Sequence, residues 1–173
     1  ADEQIDYTIE RYPKEAGITT HIIAGNHDTS FLRNDGLDIV KRISDNRKDF
    51  NYLGALGAYL NIGGIKIYVH HPTGGVAYAR SYSLQRLIEQ FAPELKPQIM
   101  ICGHWHINSV LEMYRNVYAI ATGCFQSQTP YLVAKGLYPE IGFRILEFTT
   151  KNGGLLEIGT KWFPLYIPKD KDY

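Results

Sequence analysis

The stretch MICGHWH, residues 100–106, is the clearest structural signal in this chain. With Ile99 before it, the stretch begins as a continuous apolar run, which is typical of a central β-strand covered on both faces. Gly103 ends the run, and His104 and His106 follow with a tryptophan between them. Two interpretations are open. Either one histidine belongs to the core and the other to the surface, or both bind metal ions.

The composition indicates a single globular domain. The 173 residues are 45% hydrophobic and 13% aromatic, which is enough to bury a core. Eighteen basic residues balance eighteen acidic ones, which argues against a surface coated in positive charge but allows a local basic patch. No apolar run is long enough to span a membrane, and the acidic first residues are unlike a secretory signal. We expect one domain over residues 1–173, a frayed tail at residues 168–173 and no membrane contact.

The two cysteines indicate the redox state of the cellular compartment. Cys102 and Cys124 each lie inside an apolar stretch. Two such cysteines do not make the disulfide framework of a small secreted domain. We therefore expect both to be buried, reduced thiols in a cytoplasmic protein.

Helix and strand patterns alternate at first, and strands then follow one another. Apolar residues at helical spacing predict helices over residues 2–12, 35–44 and 83–92. β-branched and alternating runs predict strands over residues 18–24, 58–62, 65–71, 98–102, 117–122, 142–150 and 155–164, with turns at Gly63-Gly64 and Gly153-Gly154. This order allows two packed sheets with helices outside, or one large mixed sheet covered by helices.

Three histidine-bearing segments begin where a predicted strand ends: GNHD at 25–28, HH at 70–71 and GHWH at 103–106. Loops at the carboxyl ends of strands converge on ligands in sheets with helices outside. Alternate residues of an extended chain are roughly 6.6 Å apart, and paired hydrolytic metals are about 3.5–4 Å apart, so His-x-His can flank two ions. GNHD alone could be a plain turn, and we assign the isolated His21 to structure. The three segments together favour a site for Mn, Fe or Zn.

The combination GNHD, VHHP and GHWH resembles the calcineurin-like metallophosphoesterase superfamily, from Ile18 to Ile145. The resemblance implies an α/β fold of the α+β four-layer type, a β-sandwich of mixed sheets flanked by helices. It also implies hydrolysis of phosphoric mono- or diesters at a centre of two divalent ions, such as Mn, Fe, Zn or Ni. There the two ions turn a bridging water into the nucleophile.

The motifs also imply a role for each polar side chain. The implied metal ligands are Asn26, His70 and His104 on the second ion, and His106 on the first. His27 would be a catalytic residue that protonates the leaving oxygen or stabilises the phosphorane-like charge. Asp28 would lie beside His27 and hold its tautomer. His71 has no fixed role in the superfamily and is a candidate substrate contact.

Two further superfamily motifs, Asp-x-His and Gly-Asp-x-x-Asp, do not occur in the sequence. In the superfamily they precede GNHD and supply the carboxylates that bind and bridge the ions. We therefore expect this chain alone to bind one ion or none, to lack the first strands of its sheet and to be a poor catalyst. An amino-terminal segment or second chain could complete the site, two copies could complete each other, or the protein could be a catalytically silent scaffold. Metal dependence separates the scaffold from the enzyme.

Two loops bear on the substrate. In PTGGVAYARSYSLQR, residues 72–86, Arg80 could pair with a phosphate, and Tyr78 and Tyr82 could stack on bases. For the tyrosines we favour the alternative, which is packing against the following helix. The later stretch GCFQSQTPYLVAKG is similar to prokaryotic and phage phosphoesterases. A nucleotide or nucleic acid is therefore the predicted class of phosphoester substrate.

Overall fold

The computed structural model describes residues 1–166, which form five helices and nine strands. The helices are α1 Asp2–Arg11, α2 Asp28–Asp35, α3 Ile39–Asp45, α4 Arg80–Glu89 and α5 Pro130–Ala134. The strands are β1 Thr20–Ala24, β2 Phe50–Ala55, β3 Gly57–Ile62, β4 Ile65–His70, β5 Ile99–Cys102, β6 Asn108–Tyr114, β7 Val117–Thr122, β8 Gly142–Lys151 and β9 Gly154–Pro164. The tail predicted at residues 168–173 lies outside this range. None of these helices is long and apolar enough to cross a bilayer.

A five-stranded mixed sheet in the order β3-β4-β5-β7-β6 forms the centre of the molecule. Strands β4, β5 and β7 run parallel, and β3 and β6 pair antiparallel at the two edges. Strands β1 and β2 form a separate parallel pair, and β8 and β9 form an antiparallel hairpin. The predicted fold class, mixed sheet with flanking helices, is confirmed.

Both faces of the central sheet are covered, as the apolar run of β5 predicts. Met100 and Cys102 pack on one face against Leu84 of α4. Ile99 packs on the other face, in a cluster that Leu146 of the β8–β9 hairpin joins. Successive residues of a strand point to opposite faces, so a strand covered on both sides has to be apolar throughout. The sheet therefore lies between a helix and a hairpin, and its strand ends are held in a fixed register.

A second core supports the β1–β2 pair. Ile5 of α1 and Val40 of α3 pack with Ala24 and Phe50, which lie on the two paired strands. Asp38 caps α3 by accepting a hydrogen bond of 2.9 Å from the backbone N–H of Lys41. This packing fixes the end of β1, from which the GNHD segment continues.

The structure corrects several boundaries. Helix α4 begins at Arg80, three residues before the predicted start. The turn of the last hairpin is Asn152-Gly153, not Gly153-Gly154, and the two residues have positive φ values of 51° and 74°. Two such residues fit a type I′ turn, whose twist matches that of the paired strands.

Elements α2, α5, β2 and β6 had no predicted counterpart. Both cysteines are free thiols, as expected. Cys102 is buried, but Cys124 is only half-buried and therefore more exposed to solvent than predicted.

Candidate metal centre

Backbone hydrogen bonds tie together the three strand ends that carry the histidine motifs. Strands β4 and β5 are parallel neighbours, and the Gly103 N–H donates to the His70 carbonyl at 3.0 Å. The His71 N–H donates to the Leu56 carbonyl at 2.7 Å, and the Leu56 N–H donates to the Ala24 carbonyl at 2.8 Å. The ends of β1, β4 and β5 therefore meet at one edge of the fold.

His71 contacts both Asn26 and His104 where these strands end. The His71 Nε2 is 2.7 Å from the Asn26 Oδ1, and the rings of His71 and His104 have centroids 4.6 Å apart. Gly25 makes this approach possible, because a Cβ there would lie 2.7 Å from the His71 Cε1. The imidazole of His71 thus occupies space that a side chain at position 25 would fill.

His70, the predicted ligand, lies in a different environment. Its Nδ1 is 2.9 Å from the Leu56 carbonyl oxygen, and its ring stacks on Tyr68 with centroids 5.3 Å apart. His70 also lines a cavity together with Trp105. The structure therefore brings His71, not His70, against Asn26. Metal binding by His70 stays a prediction.

The GHWH segment folds back sharply after β5. His104 and His106 have φ values of 70° and 55°, a left-handed conformation that costs non-glycine residues about 1–3 kcal/mol. The carbonyl of His106 accepts a hydrogen bond of 2.8 Å from the Glu140 N–H, which holds this conformation in place. The His106 Nδ1 is buried and has no hydrogen-bond partner among residues 1–166. A buried nitrogen without a partner is costly, which makes it a natural candidate for a metal ligand.

His27 and Asp28 lie in the turn between β1 and α2. His27 is exposed and occupies the N-cap position of α2, where its side chain makes no capping hydrogen bond. The Asp28 carboxylate accepts a hydrogen bond of 2.8 Å from the Gly25 N–H, so it closes the turn. Its predicted contact with the ring of His27 stays a prediction. The positive charge of His27 acts to lower the pKa of His71 and His104, which places it within electrostatic reach of both.

Burial is the main cause of a lowered pKa in four histidines: His70, His71, His104 and His106. Desolvation disfavours the charged imidazolium. A backbone hydrogen bond works in the opposite direction for His70, and the charge of His104 adds to the effect on His71 and His106. The rings are therefore neutral at neutral pH, the form that binds metals.

These lowered pKa values predict a pH-dependent stability. The unfolded chain binds protons at the ordinary histidine pKa of about 6.5, and the folded chain resists them until lower pH. The free energy of unfolding should therefore be constant above about pH 7 and fall as the pH drops from 6.5 towards 5. Carboxylates with lowered pKa, such as Asp49, act only at still lower pH. Urea unfolding of the metal-free protein measures this, and a flat profile between about pH 7 and 5 contradicts the burial of these rings.

The chain is similar to several solved structures. No protein-family model and no curated protein matches it. An archaeal phosphodiesterase is 14% identical, with 94% of this chain and 77% of that chain covered and a TM-score of 0.50. A double mutant of Vps29 from Entamoeba histolytica is 15% identical, with 94% and 89% covered and a TM-score of 0.47. A predicted phosphoesterase from Streptococcus pneumoniae is 15% identical, with 73% and 79% covered and a TM-score of 0.42.

The chain has a metallophosphoesterase-like fold. The likeness to the archaeal phosphodiesterase, which spans most of both chains, is the observation that shows it. At 14% identity it shows the fold alone. The chemistry of this chain has to be argued from its own residues.

The fold brings together metal-binding atoms that suit one ion. Asn26 offers an amide oxygen and His71 and His104 offer imidazoles, a mixed set that suits Mn, Fe or Zn. Within residues 1–166 no three His, Cys, Asp or Glu side chains are grouped closely enough to hold a metal without such an amide. The fit therefore depends on Asn26.

Arg80, the predicted phosphate contact, is paired with Glu140 in the structure. The other carboxylate oxygen of Glu140 accepts a hydrogen bond of 2.5 Å from the Asn108 N–H, and the Glu140 N–H donates to His106. The sequence carries no signal for this role of Glu140, since its partners are distant in the chain. Tyr78 is fully exposed, so its predicted packing against the helix is wrong, whereas Tyr82 lies on α4 itself and is 53% exposed.

Glu140 should contribute more to stability than its partner Arg80. Glu140→Ala leaves the Asn108 N–H without its acceptor, which we expect to lower the free energy of unfolding by about 1–2 kcal/mol. Arg80→Ala removes only a half-exposed ion pair and should cost less than about 1 kcal/mol. Urea unfolding measures both, with Glu147→Ala, an exposed carboxylate on β8, as control. Equal losses for Glu140 and Arg80 would mean that the ion pair, and not the backbone contact, carries the effect.

Proposed function

We propose that this chain is a metal-dependent phosphoric ester hydrolase that binds one divalent ion through Asn26, His71 and His104. The contact of Asn26 and His71 at 2.7 Å, with the ring of His104 beside it, is the observation that carries the proposal. It occurs where the carboxyl ends of several strands meet, the usual place for a ligand in such sheets. The metallophosphoesterase-like fold supports the same class of reaction.

The separation of the two donor atoms supports a shared ion. Ligand atoms about 2.1 Å from one metal at right angles lie about 3 Å from each other. The His71 Nε2 and Asn26 Oδ1 are 2.7 Å apart, so a small outward movement would admit an ion in place of their shared proton. The buried His106 Nδ1 offers a further donor in the same loop. The dinuclear centre implied by the motifs would need carboxylate ligands in addition, from a further segment or a second chain.

The residues of the chain divide the chemistry among them. When bound, the ion polarises the phosphoryl oxygens and favours attack by water. The attacking water oxygen would form a bond to phosphorus and release its proton to solvent, while the bond between phosphorus and the leaving oxygen breaks. His27, the exposed imidazole of the GNHD turn, gives its proton to that leaving oxygen. Asp28 keeps His27 in place by closing the turn through Gly25.

The proposal is tested by hydrolysis of an aryl phosphodiester. We expect turnover that appears with Mn²⁺, disappears with EDTA and is lost in His27→Ala. The matched control is His21→Ala, because His21 is also exposed but lies earlier on β1 and contacts Asn51. Mn²⁺ binding without turnover of any aryl mono- or diester would contradict the enzymatic proposal. Absence of Mn²⁺ binding would favour the scaffold interpretation instead.

A further inference from the structure

A cavity of about 690 Å³ is lined by residues of the segments that follow β4 and β5 and by residues of α4. We call it the Trp105 cavity. It is lined by Pro72, which follows His71, and by Trp105, which lies between the two histidines of GHWH. Its volume falls within the range of small-molecule sites, about 300–1,000 Å³. The cavity and the candidate metal centre therefore share the same two loops.

The walls of the Trp105 cavity combine aromatic and aliphatic side chains with polar ones, among them Thr73, Ser83 and Gln90. The indole N–H of Trp105 donates to the Gly74 carbonyl at 3.3 Å, which fixes the ring against the opposite loop. Val76 and Leu87 add apolar surface, and Tyr82 contributes a second ring that is 53% exposed. Because the indole N–H of Trp105 is already hydrogen-bonded, this residue can contact a ligand through its aromatic ring.

The charge of the cavity favours an anion. Of the residues in the described range that line it, Arg86 is the only one with a permanent charge, and none is a carboxylate. Glu89 pairs with Arg86 at 3.1 Å, but it also accepts a hydrogen bond of 2.8 Å from Tyr114 and contacts Arg115. The Arg86 guanidinium has five N–H donors, so most of them remain for a ligand.

We propose that the Trp105 cavity binds the base of a nucleoside phosphate, stacked on Trp105, with Arg86 favouring the charge of the ligand. The inference rests on the proposed function, since it names the substrate class of that site. A flat aromatic group that carries phosphate uses both the rings and the cation. A sugar phosphate leaves the aromatic walls uncovered, and an aliphatic chain makes no use of Arg86.

Trp105 itself provides the test. The protein has two tryptophans, and Trp162 lies on β9, outside the lining of the cavity. Fluorescence of the Trp162→Phe variant in EDTA therefore reports on Trp105 alone. We expect saturable quenching by AMP with an affinity about tenfold or more above that for ribose 5-phosphate, the gain that stacking of one base gives. If Trp162→Phe does not fold, the difference in fluorescence quenching between the wild type and Trp105→Phe gives the contribution of Trp105.

The variant Arg86→Met separates the two parts of the ligand. It should weaken the binding of AMP and leave that of adenosine unchanged, whereas Arg33→Met, outside the cavity, should change neither. Quenching that does not saturate up to about 10 mM AMP overturns the inference, as does equal affinity for AMP and ribose 5-phosphate. The titration needs neither metal nor turnover. AMP binding without hydrolysis would therefore contradict the proposed function alone, and hydrolysis without AMP binding would contradict the substrate class alone.

Discussion

His71→Ala is expected to weaken Mn²⁺ binding by about 100-fold, because it removes the imidazole that joins Asn26 to His104. His70→Ala is expected to change the affinity by no more than about threefold, since the ring of His70 lies against Leu56 and Tyr68. Isothermal titration of the purified protein measures both. The comparison is well matched, because the two histidines are adjacent and the pKa of each is lowered by burial.

The two variants also distinguish the metal ligand that the geometry favours from the metal ligand that the motif implies. The resemblance assigns the second ion to His70, and the geometry favours His71. A large loss in His70→Ala with little effect of His71→Ala would contradict the proposed ligand set. Circular dichroism of the metal-free variants provides the control for folding. Equal losses in both would mean that the end of β4 is disturbed as a whole.

Gly142→Ala is expected to lower the free energy of unfolding by about 3 kcal/mol or more. Gly142 has a φ of 156°, in the region that residues with a side chain rarely adopt. A Cβ there would overlap the backbone oxygen of Phe163 and come within 2.6 Å of the Trp162 ring. Backbone cannot move aside as a flexible side chain does, so the start of the β8–β9 hairpin would have to shift.

Gly159→Ala is the control for this effect. Gly159 lies on β9 of the same hairpin, and a Cβ there would meet nothing within 4 Å. We expect its stability to change by less than about 1 kcal/mol, because the substitution mainly restricts the unfolded chain. Urea unfolding at neutral pH compares the two variants. Equal stability of Gly142→Ala and wild type would mean that the hairpin is not packed as described.

The central sheet could be predicted because its strands are strongly patterned. The apolar run of β5 and the alternation of Ile65, Ile67 and Val69 in β4 leave little choice of structure. Helix α2 escaped prediction because its sequence, DTSFLRND, is polar and none of its residues is fully buried. Strand β2 is equally weak in pattern, and its pairing with β1 depends on the packing of α1 and α3 around Phe50. Such elements are set by tertiary contacts more than by local sequence.

The position of the site could be predicted from the sequence, but the residues that form it could be identified only from the structure. Three motifs at strand ends indicate where side chains gather. They do not show which of two adjacent histidines faces Asn26. The alternation of β4 was a usable signal, since His71 continues the face of Ile67 and Val69 while His70 shares the side of Tyr68. The turn at Asn26, which decides between the two sides, depends on how Leu56 joins the end of β1 to the end of β4.

The most direct test of the account is the position of a bound metal. A crystal of the protein grown with Mn²⁺ gives that position from anomalous scattering. We expect one peak within bonding distance, about 2.2 Å, of the Asn26 Oδ1 and the His71 Nε2, with His104 beside it. A peak coordinated by His70 and not by His71, or no peak at any site among these loops, would contradict the proposed metal centre.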